Sequence, residues 1–213
     1  MPARLRPTAP LAPDAILVGD PGRALMLAQE LLEQPKMSNH ARGLWGYTGE
    51  TRAGDALTIQ STGMGGPSAS VVLADLAELG VRRAIRIGTC TSLGELAPGQ
   101  LLLVAEARTP GGETAKPDRD LTAALGEVLG DARRGAAVSL DSLYRPERDL
   151  PSLLADGADM QTAALLAASE EHGLAAAALL IVFEKSGSGQ LRDEELEEAA
   201  KRAGTAATGV LST

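Results

Sequence analysis

The chain contains very few aromatic residues: one Trp, two Tyr and one Phe among 213 residues. Proteins that stack the bases of single-stranded nucleic acid need several exposed rings, so this scarcity argues against that class. The core must instead be built from Leu, Val, Ile and Ala, since hydrophobic residues still make up 44% of the chain. We therefore expect an aliphatic core and no nucleic acid polymer as a partner.

Cysteine and histidine are also scarce, with one Cys and two His in the sequence. A single thiol, Cys90, cannot form an intramolecular disulfide, so nothing indicates an oxidising compartment. No cluster of His and Cys has the spacing of a metal site. We expect no metal and no cofactor, and we expect Cys90 to be a small packed residue rather than a nucleophile.

Positive charge is in deficit, with 20 Lys and Arg against 28 Asp and Glu and a net charge of −8. Such a chain repels nucleic acid polymers and anionic membranes, although local arginines can still hold a small anion. The longest apolar run, Leu174–Phe183, is too short to span a bilayer, and the N-terminal segment does not resemble a signal peptide. These features predict a cytoplasmic protein without a membrane partner.

Apolar strands alternate with amphipathic helices along the chain, a pattern typical of α/β proteins. No long linker or internal repeat divides it, so we expect one domain over residues 1–213 with a central mixed β-sheet flanked by helices. Strands are predicted at Ala15–Val18, Trp45–Thr51, Leu57–Thr62, Ala84–Gly88, Leu101–Glu106, Ala136–Leu140 and Ala175–Val182. Helices are predicted at Arg23–Leu32, Pro67–Leu79, Leu121–Leu129, Gln161–His172 and Asp193–Ala203, with a loop at Thr109–Pro117.

Three glycine-containing turns stand where predicted strands end. Gly19-Asp20-Pro21-Gly22-Arg23 lies between a strand and a helix, and Gly63–Ser68 also precedes a helix. Arg86-Ile87-Gly88-Thr89 brings an arginine and a hydroxyl to the end of another strand. Glycine lets a backbone approach a ligand, helix N-termini favour anions, and guanidinium groups suit phosphate oxygens. Because ligands of open α/β sheets bind at this edge, the turns predict a phosphate site.

Four segments in order give a specific resemblance: Ile16–Ala24, Arg42–Gly49, Ser61–Ser68 and Leu79–Thr89. Together they resemble the purine and uridine nucleoside phosphorylases, most of all the hexameric bacterial purine enzymes. The resemblance is close over Ile16–Leu93 and weaker from there to Val182. It implies a nucleoside phosphorylase-like fold and a homo-oligomer, a hexamer built as a trimer of dimers.

The resemblance also implies a reaction and a set of site residues. Inorganic phosphate, as co-substrate, attacks the anomeric carbon of a (deoxy)nucleoside and releases the base and (deoxy)ribose 1-phosphate. The implied phosphate-binding residues are Gly19, Arg23, Arg42, Arg86 and Thr89, with Arg42 lent to a neighbouring subunit. The implied nucleoside-binding residues are Met64, Tyr144, Asp159, Met160, Gln161 and Glu184, and the implied catalytic residues are Glu184 and Arg86.

The sequence departs from the family pattern on the sugar and base side. The family has Glu-Met-Glu where this chain has Asp159-Met160-Gln161, so the acceptor for the ribose diol is an uncharged amide. Phe183-Glu184 stands where purine enzymes have Ser-Asp or Ser-Asn, and Phe183 would narrow the base pocket. Glu184 is either the acid toward the base or part of a solvated pair with Lys185. The N-terminal histidine of the family is absent, as is the Gln-x-Arg that binds uracil, which argues against uridine.

These departures leave three functions open. A purine nucleoside phosphorylase is favoured by the intact arginines. A nucleosidase would use water in place of phosphate, and the retained Arg23 and Arg86 argue against it. A catalytically impaired homologue that binds nucleoside or phosphate is suggested by Gln161, by Glu184-Lys185 and by the missing histidine.

Overall fold

The computed structural model describes residues 4–143, 154–185 and 189–212. The strands are β1 (Asp14–Val18), β2 (Leu32–Asn39), β3 (Gly46–Thr51), β4 (Ala56–Ser61), β5 (Arg83–Ser92), β6 (Leu101–Arg108), β7 (Thr114–Ala115), β8 (Arg133–Ser139), β9 (Gly157–Asp159), β10 (Ala175–Lys185) and β11 (Gly189–Gln190). The helices are α1 (Pro21–Leu31), α2 (Gly66–Glu78), α3 (Arg119–Val128), α4 (Thr162–Glu171) and α5 (Asp193–Leu211), with a single 3-10 turn at Ala41–Gly43.

The described strands join into one mixed sheet that partly closes on itself. Strand β5 pairs in parallel with β10, β10 antiparallel with β6, β6 in parallel with β8, β8 in parallel with β9, and β9 antiparallel with β5. Strand β1 pairs in parallel with both β5 and β4, and β3 and β2 continue antiparallel from β4. The predicted α/β class, with a mixed sheet flanked by helices, is confirmed.

Alternation along the strands divides the core between the two faces of the sheet. On β5, Ala84 packs with residues of α2 and α4, whereas Ile85 and Ile87 pack with residues of α1, α3 and α5. Among the buried hydrophobic residues of the described ranges, Tyr47 is the sole aromatic. The expected aliphatic core is therefore found. Burial of such side chains stabilises the fold by about 1.5 to 3 kcal/mol each.

Helix α5 packs directly on helix α1. A Cβ atom at Gly204 would lie 2.9 Å from Leu27 Cδ2 and 3.1 Å from Leu31 Cδ1, so a larger residue would displace these leucine side chains. The exposed face of α5 is acidic at its start, where Asp193, Glu194 and Glu195 occupy the first turn. In the part of the chain that the structure describes, no helix is long and apolar enough to cross a bilayer.

Several boundaries differ from the predicted ones. Strand β2 has no sequence signal, because Pro35 interrupts it and Gln34 has a positive φ of 46°. It is tolerated because β2 lies at the edge of the sheet, where an unpaired backbone position costs little. Helix α5 continues beyond the predicted end to Leu211, although Gly204 and Gly209 are poor helix formers. Packing of Ala203 and Ala207 against the core stabilises this extension.

Candidate functional site

A cleft of about 420 Å³ opens where β1 ends, beside the middle of β5 and where helices α1, α2 and α4 begin. The described residues that line it are Gly19, Asp20, Pro21, Arg23, Gly63, Met64, Gly65, Arg86, Gly88, Thr89, Leu143, Asp159, Met160 and Gln161. Two of the predicted glycine turns, Gly19–Arg23 and Gly63–Ser68, therefore meet at one place. This is the edge of the sheet at which ligands of α/β proteins bind. The third prediction was wrong in its local structure: Arg86–Thr89 is not a turn, because β5 continues to Ser92 and pairs with β10 along this stretch.

The turn after β1 brings the start of α1 to the cleft. Asp20 caps the helix, because its carboxylate accepts a hydrogen bond from the Arg23 backbone N–H at 2.9 Å. Pro21 occupies the first helical turn, where its missing N–H costs nothing. A Cβ at Gly19 would lie 3.4 Å from the Gly63 carbonyl oxygen, so the two turns lie side by side. The positive end of the α1 dipole thus faces the cleft, which favours an anion.

Arg23 supplies a guanidinium group without a fixed partner. Its side chain is half-buried, and within the described ranges the guanidinium forms no hydrogen bond or ion pair with a protein group. Burial lowers the pKa of Arg23 below its usual value, the Asp20 carboxylate opposes this shift, and the nearby Arg86 cation adds to it. A partly desolvated cation beside a second cation is stabilised when an anion binds between them.

Arg86 is buried and held in one orientation by three side chains. Its Nη2 donates to Asp159 Oδ2 at 3.0 Å, its Nη1 to Gln161 Oε1 at 2.8 Å and its Nε to Thr162 Oγ1 at 3.1 Å. Asp159 is held in turn, since it accepts hydrogen bonds from the Ser139 hydroxyl at 2.5 Å and from the Thr162 backbone N–H at 3.0 Å. A guanidinium carries five N–H donors, so this network leaves Arg86 donors for a ligand in the cleft.

Gln161 lies between Arg86 and the turn after β4. Its Oε1 accepts a hydrogen bond from Arg86 at 2.8 Å and lies 3.2 Å from the Thr62 hydroxyl, whose single proton is shared with the Val18 carbonyl oxygen at 3.1 Å. Its Nε2 donates to the carbonyl oxygens of Gly63 at 2.7 Å and Gly65 at 3.2 Å. The side chain is 4% exposed, and every hydrogen-bonding position of the amide group has a protein partner.

The remaining wall of the cleft is apolar. Met64, at the tip of the glycine turn, is 81% exposed, while Met160 and Leu143 are half-buried. The turn that presents Met64 has φ of 72° at Gly63 and 83° at Gly65, which glycine adopts without strain. The cleft therefore combines an anion-binding end with apolar side chains, a combination suited to a phosphate next to a nucleoside.

Most of the predicted site residues come together in this cleft. The structure brings Gly19, Arg23, Met64, Arg86, Thr89, Asp159, Met160 and Gln161 into its lining. Tyr144, predicted beside the base, lies outside the described residues, and its neighbour Leu143 lines the cleft.

Two predicted residues lie apart from the lining. Arg42 is exposed in the 3-10 turn, in a left-handed conformation with φ of 60°. Glu184 lies at a bulge of β10, where Oε1 accepts a hydrogen bond from Thr91 at 2.8 Å and Oε2 accepts one from Gln190 at 2.7 Å. Their predicted roles stay predictions.

Sequence reasoning missed the residues that support the cleft from behind. Ser139 and Thr162 hold Asp159, and Thr62 contacts Gln161. These small hydroxyl residues lie at or next to the ends of strands and helices, and no sequence motif marks them as contacts of the cleft residues. The one available signal was position: Thr162 directly follows the Asp159-Met160-Gln161 segment, at the start of a predicted helix.

The fold and the cleft define an α/β protein in which two arginines, Arg23 and Arg86, line a cleft next to apolar side chains. The chain matches the family model "Phosphorylase superfamily" over residues 13–213. It is 30% identical over 212 residues to a DeoD-type purine nucleoside phosphorylase of Clostridium beijerinckii, covering 89% of this chain and 88% of the relative. It is 33% identical over 187 residues to the DeoD-type 1 purine nucleoside phosphorylase of Shewanella oneidensis, covering 78% and 79%.

A uridine phosphorylase from Vibrio fischeri has the same fold, with a TM-score of 0.82, 22% sequence identity and coverage of 95% of this chain and 92% of that one. The chain thus belongs to the Phosphorylase superfamily, in which its sequence relatives are nucleoside phosphorylases. The predicted family is confirmed.

Proposed function

We propose that this chain is a phosphate-dependent purine nucleoside phosphorylase. The observation that carries the proposal is the pair Arg23 and Arg86 in one cleft, with Thr89 and the start of α1 beside them. A free, half-buried guanidinium next to a fixed one is suited to an oxyanion with several acceptor oxygens. Its sequence relatives, the DeoD-type purine nucleoside phosphorylases, support the purine assignment.

In this reaction a phosphate oxygen forms a bond to the anomeric carbon while the bond from that carbon to the base nitrogen breaks. The electron pair of the broken bond leaves with the base, and the sugar passes through a transition state with oxocarbenium character. The negative charge of phosphate stabilises this positive charge. Arg23, Arg86, Thr89 and the Gly19 backbone hold the phosphate, and the products are the free base and (deoxy)ribose 1-phosphate.

The leaving base needs a proton or a hydrogen bond, and Glu184 is the acid that we assign to this step. Glu184 contacts Thr91, which lies two residues beyond Thr89 on the same face of β5. Two residues of a strand span about 7 Å, roughly the separation between the phosphate and the base of a bound nucleoside. Met64 and Met160, which line the cleft, pack against the sugar. The role beside the base that family resemblance implies for Tyr144 stays a prediction.

The complete enzyme is proposed to be a cytoplasmic homo-oligomer, a hexamer built as a trimer of dimers. Arg42 supports this arrangement, because it is exposed and lies apart from the cleft of its own chain. In an oligomer it completes the phosphate site of a neighbouring subunit. Inorganic phosphate is the co-substrate, and no other cofactor takes part.

A panel of inosine, guanosine, adenosine and uridine, assayed with and without phosphate, tests the proposal. We expect base release from the purine nucleosides only when phosphate is present. Release of base at the same rate without phosphate would show a nucleosidase instead.

In the same assay, Arg23→Met is expected to raise the KM for phosphate at least about tenfold, the effect of losing a hydrogen bond to a charged group. Arg52→Met is the matched control, since the Arg52 side chain is 81% exposed.

A catalytically impaired homologue is the second candidate, and one observation favours it. Both Asp159 and Gln161 are occupied by protein groups, so neither offers a free acceptor to the sugar in this conformation. Such a homologue binds phosphate in calorimetry but releases no base from any nucleoside in the panel. Turnover of a purine nucleoside at rates of about 1 per second or more, ordinary for enzymes, would rule it out.

A further inference from the structure

We infer that Gln161 is a positioning residue that joins the phosphate end of the cleft to the turn that presents Met64, and that it does not bind the sugar hydroxyls. The inference rests on the proposed function in one respect, namely that the cleft takes phosphate at one end and a nucleoside at the other. It assigns Gln161 a role different from the sugar binding implied by family resemblance.

The hydrogen bonds of Gln161 fix the orientation of its amide group. The oxygen faces two donors, Arg86 and Thr62, and the nitrogen faces two acceptors, the carbonyls of Gly63 and Gly65. A rotation of the amide by 180° would place its NH₂ against the Arg86 cation and its oxygen against two carbonyl oxygens. The network therefore allows one orientation, in which both ends of the amide contact protein groups in a buried position.

The two ends of this amide contact different parts of the cleft. The amide oxygen accepts a hydrogen bond from Nη1 of Arg86. The other side-chain contacts of Arg86 are with Asp159 and Thr162, which lie in the same chain segment as Gln161. The nitrogen end fixes a turn whose glycines have left-handed backbones and which is otherwise tied by Ser68 to the Thr62 carbonyl at 2.6 Å. Loss of the bridge removes one of the three side-chain contacts that orient Arg86 and both hydrogen bonds from Gln161 to the turn.

A glutamate could not make the same bridge. A carboxylate accepts hydrogen bonds but does not donate them, so one of its oxygens would lie against the carbonyl oxygens of Gly63 and Gly65. Repulsion would move either the carboxylate or the turn. An amide at position 161 is thus matched to this conformation of the turn, and a carboxylate at that position is not.

The decisive experiment compares sugars in the wild type and in Gln161→Met. A bridge predicts that the variant lowers kcat/KM by the same factor, at least about tenfold, for inosine, 2′-deoxyinosine and 2′,3′-dideoxyinosine. A residue that binds the sugar hydroxyls predicts a loss confined to the substrates that carry them. A loss for inosine that exceeds the loss for 2′,3′-dideoxyinosine by tenfold would overturn the inference. Gln29→Met, the same change on the exposed side of α1, is the matched control.

The isosteric variant Gln161→Glu is a second test that distinguishes the bridging role of Gln161 from binding of the sugar hydroxyls. A bridge predicts a higher KM for inosine, because the turn is released. A sugar-binding residue predicts a lower KM for inosine, because a carboxylate is the stronger acceptor for hydroxyls. A large gain in activity from Gln161→Glu would overturn the bridge and support an impaired homologue.

Calorimetric titration with inorganic phosphate alone keeps the inference separate from the proposed function. The bridge predicts that Gln161→Met raises the Kd for phosphate at least about fivefold although the side chain does not touch the anion. An unchanged Kd would contradict the bridge. If the wild type binds phosphate but shows no turnover, the proposed reaction fails while this comparison still tests the role of Gln161. Circular dichroism and the Tm of each variant show that it is folded.

Discussion

Arg86 and Asp159 form a buried ion pair at the base of the cleft, with 3.0 Å between Nη2 and Oδ2 and side-chain exposures of 4% and 1%. Neither charge can be satisfied by bulk water, so each depends on the other and on the surrounding hydroxyl groups. The pair therefore links the stability of the fold to the anion site.

Removing one charge of this pair should destabilise the protein strongly. Asp159→Asn keeps the shape but leaves the Arg86 cation buried without a counter-charge, and we expect a loss of about 3 to 5 kcal/mol in the free energy of unfolding. Urea unfolding measures this loss. Saturating phosphate should restore more stability to the variant than to the wild type, because the bound anion supplies a replacement charge.

The pair Arg83 and Asp14 provides a matched control for that experiment. It is shorter, at 2.7 Å, but its side chains are 36% and 16% exposed and it lies away from the cleft lining. Asp14→Asn should cost about 1 kcal/mol, and phosphate should not reduce the cost selectively. Equal rescue of both variants by phosphate would mean that the anion does not bind next to Arg86.

Arg42 gives a prediction about subunits. If Arg42 completes the site of a neighbour, Arg42→Met and Arg23→Met damage different halves of one shared site. Both variants should be impaired at limiting phosphate. Dissociating them together and reassembling them should then restore activity at limiting phosphate in a fraction of the sites. Activity assays of the mixture, against each variant reassembled alone, measure this. A mixture no more active than its components would place Arg42 outside the phosphate site.

The variant Glu184→Gln tests whether Glu184 is the general acid that protonates the leaving nucleobase. General acid catalysis contributes typically about 10² to 10⁴ in rate, so kcat for inosine should fall by at least about a hundredfold while the KM for phosphate stays within twofold. A substrate whose leaving group needs no protonation, such as a nitrophenyl riboside, should lose much less. A variant with normal kcat for inosine would indicate that Glu184 serves only the contacts with Thr91 and Gln190.

Cys90 should be unreactive in the folded protein. Its side chain is 2% exposed, and burial raises the pKa of the thiol far above its usual value, with Asp159 adding to the shift and Arg86 opposing it. The reactive thiolate is therefore almost absent at pH 8. Titration with a thiol reagent should show no reaction until denaturant is added. Rapid modification of the native protein would show that this part of β5 opens to solvent.

Much of the cleft could be predicted from sequence because its motifs are local. Gly19, Arg23, Arg86 and Thr89 stand at fixed distances from apolar strands, and parallel strands end at the same edge of a sheet. The family resemblance added Asp159 and Gln161 by position. For these reasons the sequence predicts that these residues lie together, and the structure places all four in the lining of one cleft. Their binding of phosphate stays a prediction.

The partners of those side chains could not be predicted, because they depend on tertiary distances. Nothing in the sequence indicates that Gln161 faces the carbonyls of Gly63 and Gly65, almost a hundred residues earlier. The edge strand β2 was missed for the opposite reason: Pro35 and the left-handed Gln34 give a local signal against a strand, and pairing with β3 overrides it.

The close packing of Gly204 on Leu27 and Leu31 joins α5 to the helix whose first turn lines the cleft. Helix α1 begins at Pro21, directly after its cap Asp20, and its C-terminal half packs against α5. Local unfolding of α5 should therefore increase the mobility of α1, which carries Arg23 in the cleft lining. If the cleft binds phosphate as proposed, the Kd for phosphate should rise on heating before the sheet unfolds. Phosphate affinity would then report on local unfolding of α5 at the opposite end of α1.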